Sequence, residues 1–142
     1  MIYQTTKGID PAIRKSGCYF LSVLRIWEIL TEHALSVDEV NQIFHISGKV
    51  GFIGLDGFMK EGAGKGVSGV ASGLTNKHAY LKRVGEKEKH NFLIGKYKHT
   101  GIHFILMPGP LNKEYDPWSA DGSNTVKKGK FHSSRYYFGE KV

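Results

Sequence analysis

Cys18, His103 and Asp116 are the three residues of this 142-residue chain whose types and order suit covalent chemistry on a carbonyl group. Cys18 is the single cysteine; it follows Ser16-Gly17 and begins a long apolar stretch. At a helix start, free backbone N–H groups and the helix dipole stabilise a thiolate, the form that attacks carbon. A lone cysteine is more often an inert buried side chain, so a catalytic role depends on its partners. A thiol nucleophile needs a base, and the base needs a group that orients it. His103 lies in Gly101-Ile102-His103-Phe104-Ile105-Leu106-Met107, an otherwise apolar run. An imidazole buried there costs free energy unless it is hydrogen-bonded. Asp116 comes thirteen residues later, past the turn-forming Pro108-Gly109-Pro110. Two neighbouring strands joined by that turn would set the carboxylate against the ring, fixing its tautomer and stabilising the imidazolium.

The elements around these residues follow from their periodicity. Ser16 and Gly17 start a helix expected from Cys18 to about His33, with Phe20, Val23, Leu24, Trp27 and Leu30 on one broad apolar stripe. Ser36, with Glu39 three residues on, forms a capping box for a second helix. Val37, Val40, Ile43 and Phe44 supply its buried face, and Gly48 ends it. Nine glycines crowd residues 48–76, which predicts a flexible loop with a short helix over residues 57–61. Five strands are expected after it: residues 79–84, 91–96, 101–107, 125–130 and 134–138, each bounded by turn-forming residues. Helices first and strands later predict one α+β domain over residues 1–142, its N-terminal helices packed on a C-terminal antiparallel sheet.

A cysteine at a helix start, then a histidine on a strand, then an aspartate on the next resembles the papain-like cysteine peptidase fold. The branch it is most similar to holds the bacteriocin-leader-processing peptidases and related cell-wall amidohydrolases. The stretch from Ile13 to Ser22, with Tyr115-Asp116-Pro117-Trp118 and Gly122-Ser123-Asn124-Thr125-Val126, also resembles an uncharacterised family of spirochaetes and their phages. The resemblance implies Cys18 as nucleophile, His103 as base and Asp116 as orienter. It implies a cysteine peptidase or amidohydrolase that cleaves an amide bond in a peptide or peptidoglycan stem, without a cofactor. The leader-processing enzymes place an oxyanion-hole glutamine a few residues before the cysteine, where this chain has Asp10-Pro11-Ala12-Ile13-Arg14. Gln4 is the nearest substitute, fourteen residues upstream.

Other motifs lead elsewhere or nowhere. Gly64, Gly66 and Gly69 have the spacing of a dinucleotide-binding loop but lack a preceding strand, and Gly66 follows Lys65 where a Walker loop needs Ser or Thr. His99 and His103 on one strand would stand ~13 Å apart, too far to share a metal. His33 and His45 have no set of ligands at metal spacing, and His78, His90 and His132 lie in polar surroundings, so no metal is assigned. The formal net charge of +7 lies entirely in residues 77–142, and residues 127–138 interleave cations with aromatic rings. That pattern suits weak polyanion binding, or an antiparallel hairpin with lysines outside and rings inside. No apolar run reaches the ~18 residues of a membrane span, and Met1 to Thr6 carries no export pattern. The expectation is therefore a cytoplasmic protein as synthesised, with later release by lysis and no particular oligomeric state implied. Two other functions compete: a non-catalytic papain-like binding protein of phage or plasmid origin, and a basic nucleic-acid-binding domain.

Overall fold

Asp10-Pro11 opens the helical half. The Asp10 carboxylate accepts the Ala12 N–H at 2.8 Å and proline occupies the first helical position, so helix α1 runs Pro11–Ser16. This short helix sets the direction of the next, α2 (Cys18–Thr31), across the single residue Gly17. A Cβ at Gly17 would lie 2.6 Å from Ile13 Cγ2 and 2.7 Å from the Ile13 carbonyl oxygen, so the two helices approach there at a distance open only to glycine. Gly17→Ala is expected to cost about 1–3 kcal/mol, the range for forcing an extra methyl into packed surroundings. An unchanged urea midpoint would contradict the packing described.

The computed structural model describes residues 1–142, with helices α3 (Val37–Lys49), α4 (Gly64–Thr75) and α5 (Asn124–Lys128) and strands β1 (Ala79–Val84), β2 (Phe92–Lys98), β3 (Ile102–Leu106) and β4 (Lys130–Lys141). Ser36 and Glu39 cap α3 reciprocally, as their spacing predicts. The sheet order is β1-β4-β2-β3, with every pairing antiparallel. The chain is α+β, with its N-terminal helices packed on this four-stranded sheet. Helix α2 is the centre of the packing: ten of its fourteen residues are buried, and it contacts both α4 and β3. Trp27, fully buried, donates its indole N–H to Ser72 Oγ of α4 at 3.1 Å. One cluster of 26 buried residues joins these helices to the sheet.

Three expectations are corrected. Residues 64–75, expected as loop, are helix α4. Gly64 and Gly66 there admit close neighbours, since a Cβ would meet the Tyr137 ring at 2.7 Å and the Phe52 ring at 2.3 Å. Their glycine serves packing, while Val67 and Ala71 bury the helix face. Residues 57–61 form no helix; Ile53 and Met59 pair instead in an isolated antiparallel bridge. Residues 125–130 are not a strand, because Ser123 accepts the Val126 N–H and starts α5. β4 is then a single twelve-residue strand between β1 and β2, not part of the expected basic hairpin.

Candidate active site

Helix α2 places Cys18 at its first residue. Gly17 lends its carbonyl to the Leu21 N–H, while the Cys18 N–H has no hydrogen-bond partner, as expected at a helix start. The residue is buried, 4% exposed, yet lines a cavity of about 300 Å³ together with His103 and Gln4. Ser22 Oγ donates to the Cys18 carbonyl at 2.8 Å, so the residue's backbone is held from the next turn.

His103 sits on β3, paired with Tyr97 of β2, and is itself buried. Beyond β3 the chain turns and returns only far enough for Tyr115 to bridge Leu106, with two backbone hydrogen bonds of 2.9 Å. Asp116 follows this bridge rather than lying on a full strand. Its Oδ1 stands 2.6 Å from His103 Nε2. The same oxygen accepts the Trp118 N–H at 3.0 Å, and Oδ2 accepts the Ser123 N–H at 2.9 Å. Three donors thus fix the carboxylate. The Asp-Pro-Trp turn was a local signal for one of them, because an Asp side chain commonly binds the N–H two residues on. The Ser123 contact, across seven residues, has no such signal.

With Nε2 committed to Asp116, Nδ1 is the ring nitrogen left for another partner. Cys18 and His103 line the same cavity, with no hydrogen bond between them. Burial pushes the His103 pKa down, but the hydrogen bond to Asp116 and the influence of Cys18 outweigh it and raise the value to about 9. Burial likewise pushes the Asp116 carboxyl up, and the hydrogen bond from His103 with the N–H groups of Trp118 and Ser123 more than reverses that, leaving it below its ordinary range. The stability these groups contribute has a defined window. His103 contributes fully below its ordinary value near 6.5, and the contribution is lost as pH rises through about 9. Asp116 contributes above its ordinary value of 3.8 and loses the contribution as pH falls through its lowered folded value. Between pH 7 and 10, wild-type stability is expected to fall on the order of 2 kcal/mol more than that of Asp116→Asn. Urea titrations at each pH measure this, and parallel curves would contradict the ion pair.

Gln4 also reaches the site. Its backbone N–H bonds the Pro117 carbonyl at 2.7 Å, tying the N-terminal segment to the loop that carries Asp116. Its side-chain Nε2 donates to the carbonyls of Ile13 and Arg14, at 3.0 and 2.9 Å, and its Oε1 is buried without a partner. Both amide hydrogens are therefore spent on α1, and neither points to an oxyanion at Cys18. The helix α1 that holds Gln4 in this way was missed in the sequence, although Asp10-Pro11 carries a helix-start signal. No three His, Cys, Asp or Glu side chains gather in a metal-binding group. Of the tyrosines in the basic segment, Tyr137 is fully buried with its hydroxyl 2.6 Å from that of Tyr19, and Tyr136 packs on His90. No helix is long and apolar enough to cross a membrane.

No curated protein and no solved structure matches the chain. A family model described as "Protein of unknown function, DUF261" matches residues 1–138, almost the whole sequence, so the helix bearing Cys18, the strand bearing His103 and the loop bearing Asp116 all lie inside the match. The chain belongs to that family, DUF261.

Proposed function

We propose that the protein is a papain-like cysteine hydrolase that cleaves an amide bond in a peptide or peptidoglycan stem. The observation that supports this reading best is the 2.6 Å bond between His103 and Asp116 at a cavity that Cys18 also lines. An imidazole charged at neutral pH beside a thiol favours a thiolate–imidazolium pair. In the reaction, Cys18 Sγ forms a bond to the carbonyl carbon. His103 gives its proton to the nitrogen as the C–N bond breaks, and a free amine leaves behind a thioester. His103 then takes a proton from water, whose oxygen attacks the thioester; the C–S bond breaks as His103 passes that proton to the sulfur, so the acid leaves and the thiol is restored. Asp116 holds the ring and its positive charge throughout. The unpartnered Cys18 N–H is the donor available to the developing oxyanion. The test is incubation with a pool of peptides and muropeptides, read by mass spectrometry, with Cys18→Ser as the blank. New amine and acid termini produced only by the wild type support the reading; their absence across the pool contradicts it.

A second reading, a non-catalytic binding protein of the same fold, draws on Gln4. Because its amide hydrogens go to Ile13 and Arg14, the oxyanion has one donor where papain-like enzymes use two. In that reading the same pool binds to the cavity without being cleaved.

A further inference from the structure

The cavity that holds Cys18 has an uneven electrostatic lining. Arg14 and Lys15, in the last turn of α1, both line it. No Asp or Glu side chain lines it, and neither cation takes part in an ion pair. Arg14 makes only a long, 3.5 Å contact to the Thr5 carbonyl, and Lys15 makes no side-chain hydrogen bond. By contrast Arg25, Arg83 and Arg135 are each paired with a glutamate. The carboxylate nearest to the cavity's chemistry, Asp116, has both oxygens occupied by three donors. In the same lining Phe58 and Trp118 offer apolar surface, Trp118 being 39% exposed, and the Asn124 side chain is free of hydrogen bonds. Two exposed, unpaired cations in the lining of a partly apolar cavity raise the local concentration of anions beside the thiol.

We infer that this cavity is a substrate subsite for an acidic peptide, in which Arg14 and Lys15 receive a carboxylate next to the amide bond presented to Cys18. This rests on the hydrolase reading for the bond-breaking step, but the subsite itself does not. Arg14 and Lys15 are specificity-determining residues here, since they meet the substrate away from the reacting atoms.

Iodoacetate and iodoacetamide alkylate the same sulfur and differ by one carboxylate, so the ratio of their rates at Cys18 reads the subsite without any hydrolysis. The double variant Arg14→Gln, Lys15→Gln is expected to lower that ratio about fivefold, the scale of two exposed charge contacts. Both side chains are exposed, so the core is untouched. Lys82→Gln with Lys87→Gln removes the same charge from β1 and the turn beyond it and is expected to leave the ratio within about twofold. A second arm measures protection of wild-type Cys18 from iodoacetamide by three N-acetylated tripeptides. Protection by a C-amidated glutamyl peptide assigns the carboxylate to a side chain; protection by a glutaminyl peptide with a free C-terminus assigns it to a chain end. Either supports the subsite. Equal protection by the amidated glutaminyl peptide, or an unchanged alkylation ratio in the double variant, overturns it. A lowered ratio with no peptide cleaved by the wild type upholds the subsite and counts against the hydrolase alone.

Discussion

Cys18→Ser is expected to reduce amide hydrolysis by roughly 10³-fold or more while leaving the fold intact. The two side chains are close in size, so the pocket and the start of α2 should persist. The chemistry does not survive the exchange. A thiol gives up its proton to a neighbouring imidazole readily, whereas a hydroxyl, far less acidic, stays protonated until the transition state. The His103–Asp116 pair is arranged to hold a positive charge, with the ring's pKa raised to about 9, and an already protonated ring cannot serve as a base for serine. Hydrolysis rates on whichever peptide the wild type cleaves, with a urea melt of both proteins, give the comparison. A serine variant that kept more than about a tenth of the rate would remove Cys18 from the mechanism.

His103→Gln carries the second largest effect, a loss of roughly 10²–10⁴-fold, the usual contribution of a positioned acid–base group. Glutamine can still donate an N–H toward Asp116, so the buried carboxylate keeps a partner and the loss reports chemistry more than unfolding. It cannot carry the proton from the thiol to the leaving amine. Because both half-reactions pass a proton through this ring, the rate of thioester formation and the rate of its hydrolysis should fall together. A variant impaired in only one of them would show that a different group serves the other.

The parts of this arrangement that were legible in the sequence are those set by local rules. A serine with glutamate three residues on capped α3, and apolar residues at three- and four-residue spacing drew α2. A histidine among apolar strand residues required a partner, and Asp116 is that partner. What escaped the sequence depends on tertiary contact. The glycines of α4 look like loop residues because helix propensity penalises them, yet Tyr137 and Phe52 from distant positions fill the space that side chains would take. Thr125 and Val126 favour a strand by type, but Ser123 caps a helix turn there, and the same residue's N–H fixes Asp116. Gln4 was identifiable as a polar residue upstream of the cysteine. Its orientation was not, because that is imposed by the Ile13 and Arg14 carbonyls at the end of α1, a helix that became evident only when folded.

The account rests on Cys18 and His103 acting as one unit held by Asp116, and the pH dependence of Cys18 alkylation reads that unit most directly. Iodoacetamide is the neutral probe, and the rate is followed from pH 5 to 10 for the wild type, His103→Gln and Asp116→Asn. The account predicts that His103→Gln slows labelling at pH 6 by about tenfold or more relative to the wild type. Asp116→Asn should fall between the two. Wild-type and His103→Gln curves that coincide would contradict the central claim, leaving Cys18 a buried thiol beside a structural ion pair.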